Sequence, residues 1–326
     1  MEIMEKTSKY KYNSILINAF RPSEGRIITK GKESLKYHYT SPEAFLNILK
    51  HRSVYFTDIR YLNDKKEDIY LIELIERFVS KNKERFPNVA NSFDYMIGKS
   101  MDKPTTSLSE KSYNYEKDRK FVFCSCVEPD LLCMWNYYVN NGDYQGYNIG
   151  FNIEKFLKTF DTDEPKSADP FIVLYGQVLY EEKRQFAEIK REIETIESDY
   201  TLEGIEYAKV RLLMYIDRYS PFFKHSKFAH EKEYRVVIEI REKYLKEDGF
   251  KNFFGKNNQK ITYEFRTKNG IVVPFLKVKY NDNSVSRIYV SPKTEYDIAK
   301  ESIQELLRVN RYENVSIHKS AVPIRF

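Results

Sequence analysis

Apolar positions along the chain fall into short alternating runs, with stretches of helical spacing between them. Leu35 to Thr40 (LKYHYT) alternates as a strand. Ser41-Pro42-Glu43 follows as an N-cap with proline at the first helical position, and Phe45, Leu46, Ile48 and Leu49 form the apolar side of a short helix. Ser53 to Thr57 reads as a second strand. After the loop from Ile59 to Asp64, the spacing of Ile69, Ile72, Ile75 and Phe78 predicts a long amphipathic helix. Residues 98–118 are polar and read as an excursion or lid. Further strands are expected at 121–126, 142–151, 172–180, 233–240, 286–290 and 314–318, and helices from about 130, over 182–219 and over 295–308. Asn269-Gly270 between two β-branched runs predicts a hairpin over 261–280.

Dispersed strands, intervening helices and Pro274 inside a strand fit an α+β chain with mixed, largely antiparallel sheets better than a parallel α/β sheet. The polar opening, with its turn at Arg21-Pro22-Ser23-Glu24-Gly25, reads as an N-terminal extension over 1–34. A single α+β domain is expected over 35–326, with helical insertions near 65–118 and 182–225.

Composition narrows the class. In 326 residues, 41% are apolar and 31% charged, which excludes a disordered or fibrous chain. The chain has no apolar run long enough to span a bilayer, and its opening lacks the apolar core of a signal peptide, so no membrane partner is expected. Three cysteines, Cys124, Cys126 and Cys133, show no C-x-x-C spacing and suit a reduced cytoplasm. The net charge of +6 permits an anionic ligand without demanding one. Neither G-x-G-x-x-G nor G-x-x-x-x-G-K-[ST] occurs, which argues against Rossmann and P-loop nucleotide sites.

Five clusters carry candidate chemistry: Tyr37-His38-Tyr39-Thr40-Ser41; Leu62-Asn63-Asp64 with Glu67; Met134-Trp135-Asn136-Tyr137-Tyr138; Glu231-Lys232-Glu233-Tyr234-Arg235; and Pro323-Ile324-Arg325. Each has a structural reading beside a functional one. His38 is a ligand or a hydrogen-bonded strand histidine, and Glu233 a working carboxylate or a partner of Arg235 or Lys232. Trp135 and Tyr138 have the spacing of core packing as well as of a stacking pair. Asn63, Asp64 and Glu67 have the spacing of a capping box. Arg235 suits a pyrophosphate or an ion pair with Glu231 or Glu233.

In this order the motifs resemble a prokaryotic family known only as domain-of-unknown-function family 2971, over about residues 35–326. The strand–helix–strand opening with His38 and Thr40 also resembles ADP-ribosyltransferases of the His-Tyr-Glu class, especially the DNA-modifying branch. That resemblance implies sheets forming a cleft with helices around them, NAD as donor, and a protein or nucleic acid as acceptor. It implies His38 on a ribose, Tyr138 or Trp135 beside nicotinamide, and Glu233, or Glu231 on the same strand face if the strand extends that far, against the ribosyl cation. Tyr39, Thr40, Asn63, Asp64 and Arg235 would line the cofactor. It further implies transfer of ADP-ribose or hydrolysis of NAD, in a toxin or anti-phage setting. Such chemistry needs a fixed carboxylate against a developing cation and needs no metal. His38 and Glu233 would then face a single cleft.

Two alternatives stay open. The same residues would serve a nucleotide-sensing module without turnover. Asp58, Asp64 and Glu67, with Lys65 nearby, would serve a metal-dependent nuclease. His225 and His230 lack the spacing of a helical zinc pair.

Overall fold

Residues 17–20, 35–62, 67–98, 118–139, 144–160, 171–245, 261–268 and 270–324 are described by the computed structural model. Its strands are β1 (Ile17–Phe20), β2 (Leu35–Thr40), β3 (Ser53–Asp58), β4 (Asp118–Cys126), β5 (Tyr147–Asn152), β6 (Phe171–Gln177), β7 (Glu233–Arg241), β8 (Ile261–Lys268), β9 (Ile271–Lys279), β10 (Val285–Val290) and β11 (Ser316–Lys319). The helices are α1 (Pro42–His51), α2 (Glu67–Lys81), α3 (Pro87–Gly98), α4 (Leu132–Tyr138), α5 (Ile153–Leu157), α6 (Glu182–Tyr219) and α7 (Tyr296–Val309). The expected lid falls, from 99 to 117, outside the described residues, as do Asn63, Asp64 and Arg325.

The chain divides into two units. One, drawn from Leu62–Lys117 and Gln177–Ala229, is helical and contains α2, α3 and α6. Gly204, at φ 77°, interrupts α6 in a left-handed conformation that only glycine adopts without strain. The start of α3 is capped from a distance: the Glu197 carboxylate accepts from the amides of Asn88 (3.2 Å) and Val89 (2.9 Å).

The other unit, drawn from Ala19–Tyr61, Asp118–Gly176 and His230–Phe326, carries most of the sheet. The sheet is open and largely antiparallel, in the order β1-β6-β7-β4-β2-β5-β10-β11, with β3 joined to β4 and β9, and β8 to β9. The β10–β11 ladder is parallel, against the antiparallel ladders around β4. Helix α1 forms as its sequence dictates. Ser41 Oγ accepts from the Ala44 amide at 3.3 Å, Pro42 opens the first turn, and Arg52 closes it in the left-handed region. Phe45, Ile48 and Leu49 from its buried side join Phe56, Phe123, Phe156, Ile238 and Leu276 in one core.

Strand β5 begins at Tyr147, later than the sequence pattern suggests, and Gly146 before it passes close to the β2 end. A Cβ there would lie 2.4 Å from Val139 Cγ1 and 2.6 Å from the Thr40 carbonyl oxygen. Gly146→Ala is therefore expected to cost about 1–3 kcal/mol as overpacking against a fixed backbone, read as a lower urea midpoint with unchanged slope.

Candidate functional site

Register decides which side chains share a face, because directly opposed residues of an antiparallel pair point the same way and neighbours alternate. Tyr37 opposes Cys126, and Cys126 opposes Glu233. Cys124 opposes Arg235, and Val122 opposes both Val237 and Thr57. One face therefore carries Tyr37, Tyr39, Cys124, Cys126, Glu233, Arg235 and Thr57. The other carries Phe121, Phe123, Val236 and Ile238, and it forms the core.

The polar face is organised at the start of β7. The strand does not extend back to Glu231, which ends a 3-10 turn, so the two glutamates do not share a strand as the sequence suggested. They are joined instead by Lys232 at φ 46°, a left-handed residue with a side chain, which makes a corner between them. The Lys232 carbonyl accepts from the Val127 amide at 3.0 Å and fixes that corner to the end of β4. Helix α4 brings Tyr138 to the corner, where its hydroxyl donates to Glu231 Oε1 at 3.2 Å. Burial, then the charges of Glu231 and Glu233 and the Cys124 thiol, push the Tyr138 phenol well above its ordinary range, so it stays protonated.

Both glutamates are buried, Glu231 at 6% exposure and Glu233 at 4%, and Arg235 at 1% is more so. Arg235 Nε and Nη2 donate to the same oxygen, Glu233 Oε2, at 3.2 and 2.7 Å. With those two donors committed to Glu233, this arginine is placed as an ion-pair partner.

Trp135 is fully buried, and its ring meets Tyr39 edge-on at 4.8 Å. Its indole Nε1 donates to Asp130 Oδ1 at 2.6 Å, and Asp130 also accepts from Ser320 Oγ (2.7 Å) and the Ala321 amide (2.6 Å). The Tyr39 hydroxyl accepts from the Leu131 amide at 2.9 Å and donates to the Glu128 carbonyl at 3.2 Å. These bonds hold the turn before α4 against β2, a packing role for both rings. Thr40 is buried at the β2 end, opposite Tyr147.

His38 departs from expectation. Its neighbour Tyr37 shares a face with Glu233, so His38 starts on the opposite face, and its ring lies 4.8 Å from that of Phe123 in the core. The two side chains do not converge as the cleft reading requires. The reason is a split in the sheet: on one edge of β4, Val122 pairs with β3 and Cys126 with β2, leaving Cys124 between them. His38 Nδ1 fills this position, 2.9 Å from the Cys124 carbonyl oxygen. A carbonyl only accepts, so Nδ1 carries the proton and Nε2 the lone pair. Burial lowers the pKa of His38, the Cys124 carbonyl raises it, and the nearby charge of Arg266 lowers it again, with a net shift downward.

Arg266 and Lys268 are functional candidates that the sequence reading missed. Phe275 opposes both Thr57 and Glu264, so Arg266, two residues beyond Glu264, lies on the Glu233 face, with Lys268 beyond it. Nothing in the run TYEFRTK marks these cations; only the strand order assigns them to this face. Asp58, a ligand in the metal alternative, is clasped by Arg60 and Arg119. Among the described residues no group of three or more His, Cys, Asp or Glu is arranged to hold a metal ion. A shallow cavity of about 390 Å³ lies between α7 and β11, lined by Leu307, Tyr312 and Val315 among others, and none of the residues of the polar cluster borders it.

Among the described residues no helix is long and apolar enough to cross a membrane. No curated protein and no solved structure matches the chain. The motifs around Trp135 and Glu233 fall inside a segment that does match: residues 134–236 fit the model of the family described as Protein of unknown function (DUF2971).

Proposed function

We propose that this chain cleaves the nicotinamide–ribose bond of NAD and passes ADP-ribose to a protein, a nucleic acid or water. The observation that carries the reading is the corner at Lys232, which sets two buried carboxylates, Glu231 and Glu233, against one protonated phenol, Tyr138. Breaking the glycosidic bond builds positive charge on the ribose, and a carboxylate fixed in a low-dielectric site opposes that charge without reorganising. Glu233 is assigned this role. Glu231, held by Tyr138, orients the acceptor. His38 supports the β4 carbonyl at the split and is given no direct part in the reaction. Cys124, Cys126 and Cys133 form no disulfide, which suits a cytoplasmic setting, where NAD is available.

One observation favours a second reading. Arg235 already neutralises Glu233, and a carboxylate in a buried ion pair offers less to a developing cation than a free one. On that reading the same face binds a nucleotide without turnover.

The two readings separate on product. Incubation of the full chain with NAD is expected to yield nicotinamide together with ADP-ribose, either free or on an acceptor, in chelator-treated buffer. Raised melting temperature with NAD but no nicotinamide over hours would favour the binding module.

A further inference from the structure

The polar face carries positive charge at some distance along the sheet from the glutamates, on the hairpin made by β8 and β9. Arg266 Nη2 donates to Thr57 Oγ1 at 2.9 Å. Its guanidinium lies over the rings of Tyr55 and Phe275, at 5.4 and 5.7 Å, and those two rings are 4.3 Å apart. One hydrogen bond and two aromatic contacts thus fix the plane of the fork. Its Nε is buried and has no hydrogen-bond partner among the described residues. A buried donor without a partner is costly, and it is tolerated where a ligand completes it. The acceptor this arginine does have is a neutral hydroxyl, whereas Arg235, Arg60 and Arg119 all hold carboxylates. Lys268, two residues on along β8, projects from the same face as Arg266, and burial and then the charge of Arg266 lower its pKa. Burial likewise lowers the pKa of Arg266 itself.

We propose that Arg266 and Lys268 form a phosphate subsite on the Glu233 face, which takes the pyrophosphate of a dinucleotide whose ribose lies toward Glu233. The subsite deepens the NAD reading and rests on it for the identity of the dinucleotide. Arg235, bonded to Glu233, leaves the pyrophosphate to this second arginine. The planar fork suits two phosphate oxygens, and Lys268 adds a point charge.

The test is calorimetric titration of the full chain with inorganic pyrophosphate, ADP-ribose and a short single-stranded oligonucleotide, for wild type, Arg266→Gln, Arg266→Lys and Lys268→Gln. Melting curves confirm that each variant is folded. Pyrophosphate and ADP-ribose are expected to bind the wild type. Arg266→Gln should weaken both by about 10- to 100-fold, the range for losing a charge-assisted fork, and Lys268→Gln by less. Arg266→Lys keeps the charge and should fall between. Equal affinity of wild type and folded Arg266→Gln for pyrophosphate would overturn the subsite and leave the arginine as a latch of the hairpin. Arg266-dependent binding of the oligonucleotide alone would overturn it too. Arg266-dependent pyrophosphate binding in a protein that never releases nicotinamide supports the subsite and defeats the NAD reading, so the two fail separately.

Discussion

Glu233→Gln is expected to slow nicotinamide release by about 10²–10³-fold per folded molecule, the range for removing one preorganised electrostatic partner of a transition state. Glutamine keeps the length and an acceptor oxygen and removes the charge. The same change acts on stability, because Arg235, 1% exposed, then loses a charged partner in the interior. Breaking a buried pair from one side costs about 3–5 kcal/mol, and the remaining amide oxygen sets the expectation near the lower end. Against a typical stability of about 5–15 kcal/mol, the variant stays mostly folded at room temperature. Urea unfolding measures the second effect, and initial rates corrected for the folded fraction measure the first. Glu231→Gln is the comparison: Glu231 is assigned to the acceptor and not to the ribosyl cation, so its effect on nicotinamide release should be smaller. A folded Glu233→Gln protein that releases nicotinamide at the wild-type rate would remove this carboxylate from the reaction and leave the pair with Arg235 as a structural one.

Glu233 and Arg235 show where the sequence is informative and where it stops. The alternation of EYRVVIEI marks a strand from local residues alone, and β7 runs over Glu233–Arg241. The same holds for LKYHYT and β2, and for the serine and proline that open α1. What the strand faces is not local. A slip of one residue exchanges the two faces, so the separation of His38 from Glu233 depends on Tyr37 meeting Cys126 across more than eighty positions of chain. Helix α3 escaped the sequence reading for a related reason: the carboxylate that caps it belongs to Glu197, 108 residues from Val89. Arg266 reaches the polar face only through the order β8-β9-β3-β4, in which the link from β9 to β3 joins strands far apart in the chain. The motif at Asp130-Leu131-Leu132 with Trp135 was legible as a cluster, but its use was not. Asp130 spends its oxygens on the indole and on Ser320 and Ala321, which fixes a turn.

Asp58 gives the other large expected effect, and its pH dependence has a definite sign. The carboxylate is 1% exposed at the end of β3. Arg60 donates to it from its backbone amide and Nε (both 3.0 Å to Oδ1) and from Nη2 (2.9 Å to Oδ2). Arg119, on β4, adds Nε at 3.0 Å to Oδ2 and a further Nη2 contact to the same oxygen. Burial alone would push this carboxyl up, but the hydrogen bonds from Arg60 and Arg119 outweigh it and hold the pKa below the ordinary aspartate value. Arg60 is 52% exposed and regains water when the aspartate is lost, whereas Arg119 at 13% keeps only the longer contact to Glu242 at 3.9 Å, so the cost lies mainly with Arg119. Asp58→Asn is expected to destabilise the protein by about 3 kcal/mol at neutral pH, as for a buried pair broken from one side. A group whose folded pKa is depressed stabilises above its unfolded value, about 3.9, and loses that contribution as pH falls through the folded one. The stability gap between wild type and Asp58→Asn should therefore be full at pH 7 and close progressively in acid below about pH 4. Urea unfolding of both proteins across that range measures it. A gap that stays constant into strong acid would mean that the carboxylate's charge is not what the two arginines hold.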